Sequence, residues 1–182
     1  MWIEVYARGG PVAGDVFVIP PGLPEPPTSG ELEALRAYAR AGGKILALGD
    51  GVAWPCAAGL LPGDVTAARP DAPATHVRVE GRATAFTWAI PAGRIVALAR
   101  PAPAHRYAAP DTELAALEAS GRIVLRYCDG AGGLDEPRPF ARAATVAALC
   151  DDSGRVVGVV APTAADLACA LGRQLLACLR PR

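Results

Sequence analysis

The chain has 182 residues, of which 52% are hydrophobic and 20% charged, and its 18 basic residues balance 18 acidic ones. This composition is typical of a folded globular chain, and the length suits one domain with a sizeable core. A neutral charge balance gives no electrostatic footprint for nucleic acid or for an anionic membrane.

The sequence gives no sign of a membrane span, a signal peptide or a metal site. No run approaches 18 consecutive apolar residues, and Met1–Glu4 lacks basic residues ahead of an apolar stretch. The five cysteines are odd in number, widely spaced and without a Cys-x-x-Cys pair, and only two histidines, His76 and His105, could join them. We therefore expect no disulfide framework, no metal and no cofactor, in a reduced, cytoplasmic protein.

The first part of the chain alternates predicted strands and helices. Trp2–Tyr6 and Asp15–Pro20 are predicted strands, the second a β-branched run typical of a sheet covered on both faces. The pattern Thr28-x-x-Glu31 predicts a capping box for a helix that ends at Gly42-Gly43. Lys44–Leu48 is the next predicted buried strand.

Shorter predicted elements follow Gly63. The predicted strands are His76–Glu80, Ala85–Trp88, Arg94–Ala97, Arg122–Tyr127, Thr145–Leu149 and Val156–Val160. Asp111–Ser120 is predicted to be a helix capped by Asp111 and closed by Gly121, and Asp166–Leu179 a final amphipathic helix. Asp151–Gly154 predicts a hairpin turn. Parallel strands with helices between them, plus an antiparallel insertion, predict an α/β sandwich.

Residues 44–63 are the most informative stretch. They predict a strand, a tight turn, a helix start and a Gly-Leu-Leu-Pro-Gly exit. This is the layout of a nucleophile elbow, a strained strand-to-helix turn that presents Ser or Cys at its apex. The apex here is Gly49-Asp50-Gly51, so the turn presents neither Ser nor Cys, and a glycine has no side chain that could attack a substrate. Asp50 could serve as a general acid or base, and its position favours capping of the following helix.

Four stretches carry the motifs of one family. They are Gly59–Gly63, similar to Ala-Gly-Leu-Leu-Pro-Gly; Arg106-Tyr107, at the end of a His-Gly-Glu-Gly-Arg-Tyr motif; Gly121–Asp129, similar to Val-x-x-Arg-Tyr-Cys-Asp; and Val146–Gly158, similar to Ile-Ala-Gly-Ile-Cys-Asn followed by Gly-x-Val-x-Gly. In order and spacing they resemble the glutaminase subunit of phosphoribosylformylglycinamidine synthase, a class I glutamine amidotransferase of purine biosynthesis.

This resemblance implies a fold and a domain organisation. The fold is a three-layer α/β sandwich, flavodoxin-like in outline, with a mostly parallel central sheet and an antiparallel insertion. Residues 1–182 would form a single glutamine-amidotransferase-like domain. Because Asp15–Gly22 aligns with a later strand of the family, we expect this domain to be shortened at the N-terminus.

The resemblance also implies a lost catalytic triad. In the family the elbow reads Gly-x-Cys-x-Gly, and its cysteine attacks glutamine with the help of a His-Glu pair. The positions of the cysteine, histidine and glutamate are Gly49, Pro162 and Ala164 in this sequence. None of these residue types can attack a carbonyl or transfer a proton. The chain is therefore identified as a degenerate member, a pseudo-amidotransferase.

The parts that support the triad differ as well. The family's Pro-Gly-Gly turn supplies oxyanion-hole amides, and its counterpart is Pro20-Pro21-Gly22, where Pro21 has no N–H. The remnants of this oxyanion turn are Pro21, Gly22 and Asp50. The candidate cleft residues, at the family's Arg-Tyr motif, are His105, Arg106 and Tyr107, with a solvated loop as the plainer interpretation of His105.

Three functions remain open at this point. The first is a non-catalytic subunit that associates with the synthetase subunit of the purine-pathway complex. The second is an active glutamine amidotransferase with a relocated nucleophile such as Cys56, although a small buried cysteine is the more ordinary interpretation of that residue. The third is a binding module that holds a small ligand in the old cleft. Neither nucleic acid nor a membrane is an expected partner.

Overall fold

The computed structural model describes residues 2–7, 10–23, 25–67, 74–81, 84–102, 105–134, 145–161, 173, 175, 177 and 178. The helices whose bounds lie within the described residues are α1 (Ser29–Arg40), α2 (Ala53–Ala57) and α3 (Asp111–Ala119), and a 3-10 turn spans Gly49–Val52. The strands are β1 (Ile3–Val5), β2 (Val16–Ile19), β3 (Lys44–Leu48), β4 (Asp64–Ala67), β5 (Ala74–Val79), β6 (Ile95–Ala102), β7 (His105–Ala108), β8 (Ile123–Cys128), β9 (Val146–Cys150) and β10 (Val156–Val159).

The main sheet has the strand order β1-β2-β3-β10-β9-β8-β5-β6. Strands β1, β2, β3 and β10 pair in parallel, and β9, β8, β5 and β6 extend the sheet in antiparallel pairs. The predicted α/β fold is confirmed, with the parallel strands in one half of the sheet. Strands β4 and β7 form a separate antiparallel pair that the sequence pattern did not predict.

Buried side chains cover both faces of the sheet. Along β2, Val16 and Val18 pack into one hydrophobic cluster, whereas Phe17 and Ile19 pack into another. This alternation follows from the period of two in a strand. The cluster of Phe17 also receives the helical side chains Leu35, Trp54, Leu114 and Leu117. Burial on both faces explains why β2 is a continuous apolar run.

Helix α1 begins as the sequence predicts. Thr28 is the N-cap: its hydroxyl accepts the N–H of Glu31 at 3.3 Å, and the Glu31 carboxylate accepts the N–H of Thr28 at 2.7 Å. These reciprocal bonds satisfy two amides that the first turn leaves unpaired. Farther along the helix, Arg36 Nε donates to the carbonyl of Ala58 at 2.9 Å and ties α1 to the end of α2.

The predicted strand at Ala85–Trp88 is wrong, because this segment forms a turn. The carbonyl of Thr84 accepts the N–H of Trp88 at 3.2 Å, and the Thr84 hydroxyl accepts a second backbone N–H within the turn at 3.1 Å. Such local bonds compete with the ladder of a sheet. The apolar residues of the segment still contribute to the core, since Phe86 is fully buried.

The predicted cap of α3 and the predicted hairpin turn between β9 and β10 have different outcomes. The cap of α3 is wrong: Pro110 is the N-cap residue, no side chain caps the helix, and Asp111 lies in the first turn. There its carboxylate still favours the positive end of the helix. The predicted hairpin between β9 and β10 is confirmed, with Asp151 accepting the N–H of Val156 at 2.9 Å and Gly154 at a φ of 69°.

The predicted final helix, Asp166–Leu179, lies largely outside the described residues. Among those that are described, Leu175 is fully buried in the cluster of Val16 and Val18. In the part of the chain that the structure describes, no helix has the length and hydropathy needed to cross a membrane.

Candidate functional site

The structure contains the strand, turn and helix of the predicted elbow. Strand β3 runs into the 3-10 turn and then into α2. Because β3 lies between the parallel strands β2 and β10, the turn sits at the carboxyl edge of the sheet, where α/β proteins place their ligand sites. Gly49 is buried there with a φ of 58°. Glycine takes this conformation freely, whereas a side chain would strain it.

Gly51 meets a different requirement, the close approach of a neighbouring strand. A Cβ atom at this position would lie 2.7 Å from the carbonyl oxygen of Pro20 and 3.0 Å from that of Ile19. Both contacts are with backbone atoms, which cannot move aside as a flexible side chain can. The elbow is therefore packed directly against the end of β2.

The turn after β2, at residues 20–22, has one backbone N–H, and that N–H is hydrogen-bonded to a side chain. Pro20 and Pro21 have no N–H, and the N–H of Gly22 donates to Oδ1 of Asp50 at 2.7 Å. A carboxylate therefore holds the amide that the resemblance assigns to oxyanion binding. The predicted capping role of Asp50 is wrong, because neither the 3-10 turn nor α2 has a side-chain cap. Oδ1 of Asp50 accepts the N–H of Gly22 instead of an N–H at the start of the helix.

Cys56, the candidate relocated nucleophile, lies in α2 and is half-buried. Its Sγ donates to the carbonyl of Pro62 at 3.6 Å. Burial, with the negative charges of Asp64 and Glu113 nearby, raises the pKa of the thiol to about 12. Since the thiolate is the nucleophile, the reactive fraction at pH 7 is on the order of 10⁻⁵. Activated cysteines occupy the opposite, electropositive environment.

The last predicted triad positions follow β10. Val159 pairs with Leu48, the residue before the elbow apex, so the chain leaves β10 at the same edge of the sheet. Pro162 and Ala164 come next in the sequence and lie outside the described residues. As residue types, proline and alanine have no side-chain group that could take up a proton or orient an imidazole.

The predicted cleft residues lie on β7 rather than in a loop. Strand β7 pairs with β4, and this places His105 opposite Ala67. Tyr107 is buried, its hydroxyl donates to the carbonyl of Pro62 at 3.0 Å, and burial raises its pKa. Tyr107 therefore anchors the loop at residues 59–63. Neither it nor His105 nor Arg106 is among the described residues that line the groove beside the elbow.

This groove, which we call the elbow groove, has a volume of about 500 Å³. Its walls include the apolar side chains of Leu23, Pro26, Ala53, Trp54 and Ala57. Three carboxylates line it, those of Glu25, Asp50 and Asp64, and no Arg, Lys or His is among its described lining residues. Sequence reasoning missed the groove because its walls come from separate segments, and only Asp50 and Cys56 were singled out.

A metal centre has no counterpart in the described residues. They contain no group of three or more His, Cys, Asp and Glu side chains placed to hold a metal ion. The elbow groove brings together carboxylates and apolar side chains, with a thiol that stays protonated. Its described lining residues include no Ser or Thr hydroxyl and no activated Cys thiol.

The chain is similar in sequence to PurQ proteins. It is 32% identical over 133 residues to phosphoribosylformylglycinamidine synthase subunit PurQ of Bradyrhizobium diazoefficiens, covering 71% of this chain and 57% of that protein. It is 30% identical over 154 residues to the PurQ of Rhodopseudomonas palustris strain BisB18, covering 80% and 66%. The chain thus spans less than two thirds of the length of these relatives. No family model matches it.

Solved structures show the same fold at lower identity. The structure of PurLQS from Thermotoga maritima superposes with a TM-score of 0.64 at 19% identity, covering 91% of this chain and 78% of that one. A putative ThuA-like protein from Bacteroides uniformis gives a TM-score of 0.55 at 15% identity, with coverages of 91% and 67%. The sequence matches support the family that the motifs indicate, and the structures support its fold.

Proposed function

We propose that this chain is a non-catalytic, PurQ-like subunit that associates with a synthetase subunit of the phosphoribosylformylglycinamidine synthase type. Its relatives are named as subunits of that synthase, and the Thermotoga maritima structure of the same fold is one of PurLQS. On this proposal the chain, as one domain, contributes a surface to the complex. The ammonia for the synthetase comes from solution or from another glutaminase.

Gly49 is the observation that carries the proposal. It stands where the family has its cysteine, and the backbone around it keeps the elbow geometry, with a φ of 58° and the close packing of Gly51 on β2. An elbow without its nucleophile cannot form the covalent intermediate through which the family hydrolyses glutamine. The scaffold thus remains while its reactive atom is gone.

Two further observations support a non-catalytic role. The single amide of the turn at residues 20–22 is held by the Asp50 carboxylate, whose negative charge would repel an oxyanion. The pKa of Cys56 is about 12, so this thiol is a poor substitute for the missing cysteine. The remaining described cysteines, Cys128, Cys150 and Cys178, are buried.

The test begins with a pull-down of the tagged full-length chain from its native lysate. The purified complex is then assayed for synthetase turnover with glutamine and with ammonium as the nitrogen source. We expect a synthetase to co-purify, to turn over with ammonium and to be inactive with glutamine. The isolated chain should release no glutamate from glutamine.

Two outcomes would overturn the proposal. Glutamine-dependent turnover that disappears in Cys56→Ala, together with labelling of Cys56 by a glutamine-analogue electrophile, would establish an active amidotransferase. Recovery of the chain without any synthetase, under conditions in which an active PurQ retains its own partner, would remove the subunit role.

A further inference from the structure

The main sheet has two edges, and they differ in their protection against pairing with another strand. At one edge lies β6, which contains Pro101. Proline on an edge strand discourages further pairing because it has no N–H. At the other edge lies β1, whose residues Ile3–Val5 include neither proline nor lysine. Among the strands that the structure describes, none pairs with the outer side of β1.

The backbone of β1 directs hydrogen-bonding groups toward this open edge. On the inner side, the N–H of Tyr6 donates to the carbonyl of Val18 at 2.8 Å, and the carbonyl of Trp2 accepts an N–H of β2 at 3.3 Å. Because successive residues of a strand direct these groups to alternate sides, those of Ile3 and Val5 face outward. A further strand laid along this edge would bond to the N–H and C=O of both residues.

Exposed apolar side chains flank the open edge on both faces of the sheet. Trp2 is 57% exposed and Val5 is 52% exposed, more than any other large hydrophobic side chain among the described residues. Ile3 packs on one hydrophobic cluster and Tyr6 in the other, so the strand alternation places Val5 on the face of Ile3 and Trp2 on the face of Tyr6. A ligand lying on one face would cover only one of these side chains. An added strand, whose own side chains alternate, covers both.

The charge at the centre of β1 distinguishes between a second copy of the chain and a different partner. When two copies pair in antiparallel fashion with Ile3 of one opposite Val5 of the other, Glu4 lies directly opposite its own counterpart. Like charges in this arrangement are destabilising. An arginine opposite Glu4 would form an ion pair instead, and its guanidinium would lie diagonal to Trp2 on the same face, within reach of the ring.

We propose that β1 is the docking edge for the synthetase subunit, which adds an extended segment to the sheet with an arginine opposite Glu4. This inference rests on the proposed function, since it names the surface through which the chain joins the complex. Strand β1 is only three residues long, so its backbone hydrogen bonds hold the segment weakly. Burial of Trp2 and Val5 supplies further affinity.

The experiment measures binding of the purified synthetase subunit to the full-length chain by isothermal titration calorimetry. Val5→Pro removes an outward N–H and leaves the bonds to β2 in place, so it should fold normally and bind about tenfold more weakly. Val5→Ile keeps the N–H and the β-branched shape, and should retain the affinity. Circular dichroism of both variants separates lost binding from lost folding.

A charge variant tests the arginine at the edge. Glu4→Gln should weaken synthetase binding about threefold, because an exposed ion pair contributes modestly. Glu33→Gln makes the same charge change on the exposed side of α1 and should leave the affinity unaltered. In the complex, hydrogen exchange at the amides of Ile3 and Val5 should be slower than in the free chain, because both amides become paired.

The outcomes separate this inference from the subunit role. Equal affinities of Val5→Pro and the unaltered chain, or unchanged exchange at Ile3 and Val5 in the complex, would overturn the docking edge and leave the subunit role standing. Failure of the unaltered chain to bind the synthetase would overturn both. Dimerisation of the chain alone that is lost in Val5→Pro and strengthened in Glu4→Gln would assign the edge to a second copy instead.

Discussion

Two segments of the same neighbourhood, the elbow turn at residues 49–51 and the exit loop at residues 59–63, differ in what they retain from the family pattern. The exit loop keeps the Gly-Leu-Leu-Pro-Gly sequence and is held by side chains: Tyr107 donates to its Pro62 carbonyl, and so does the Cys56 thiol. The elbow keeps its backbone, through Gly49 and Gly51, and has no Ser or Cys side chain at its apex.

The difference separates the demands of folding from those of chemistry. The residues that close the exit loop are buried contacts, and removing them would leave the carbonyl of Pro62 unpaired. A nucleophile makes no such contribution to stability, and at a positive φ it adds strain. On the proposed non-catalytic role, the packing around the elbow is needed for folding, whereas a nucleophile at its apex is not.

The largest expected effect is at the packed side of the elbow. Gly51→Ala should lower the free energy of unfolding by about 3 kcal/mol, because its Cβ would meet the backbone carbonyls of Ile19, the last residue of β2, and of Pro20. Urea denaturation measures this loss. The matched control in the exit loop is Gly59→Ala, where φ is 69° and no atom lies within 4 Å, with an expected loss of about 1 kcal/mol. Equal losses would contradict the packing difference.

Cys56 tests whether the groove can activate a thiol. With a pKa of about 12, its alkylation by iodoacetamide at pH 8 should be about fiftyfold slower in the folded chain than in urea, after allowance for the greater nucleophilicity of a more basic thiolate. Peptide mass spectrometry follows this cysteine separately. A folded rate equal to or above the unfolded rate would contradict the protonated thiol.

The same pKa predicts the sign of a pH effect. The folded thiol resists ionisation while the unfolded one ionises near pH 9, so the contribution of Cys56 to stability is complete below pH 9. It is lost as the pH rises toward 12, at up to about 1.4 kcal/mol per pH unit. Cys56→Ala should therefore lose stability less steeply than the unaltered chain over this range, and parallel pH curves would contradict the assignment.

Gly49 tests the elbow apex directly. Gly49→Ala should cost about 1 to 2 kcal/mol, because the φ of 58° is unfavourable for a side chain. Gly49→Cys should pay a similar strain and gain no glutaminase activity, since Pro162 and Ala164 provide no base and Asp50 holds the Gly22 amide. Calorimetry and a glutamate-release assay measure the two results. Measurable glutamate release by Gly49→Cys would show that only the nucleophile is missing.

The smallest effect concerns the exit loop. Tyr107→Phe should lower the free energy of unfolding by about 1 kcal/mol, because the Pro62 carbonyl loses its hydroxyl donor. Tyr127→Phe is the matched control: among the described residues its buried hydroxyl has no hydrogen-bond partner, so its removal should be neutral or stabilising. Equal losses in the two variants would show that the Tyr107 bond does not hold the loop.

The sequence was most informative where the signal is local. The capping box of Thr28 and Glu31, the buried strand β3 and the Asp151–Gly154 hairpin all depend on residues close in sequence, and all were predicted. The strand at Ala85–Trp88 was not a strand because the Thr84 side chain bonds to the local backbone. The alternation of apolar residues in the sequence does not show whether such a competing bond forms.

By itself, the sequence determined the α/β fold, because its apolar strands alternate with helix signals. It also determined that residue 49 cannot be a nucleophile, because glycine has no side chain. Only the tertiary structure decided which distant residues surround Gly49 and what they contact. Asp50 reaches Gly22, 28 residues away, Tyr107 reaches Pro62, 45 residues away, and separated acids line one groove. The first contact forms because the paired parallel strands β2 and β3 end at the same edge of the main sheet, and the second because β7 pairs with β4, the strand that follows Pro62. Residue spacing alone does not specify either pairing.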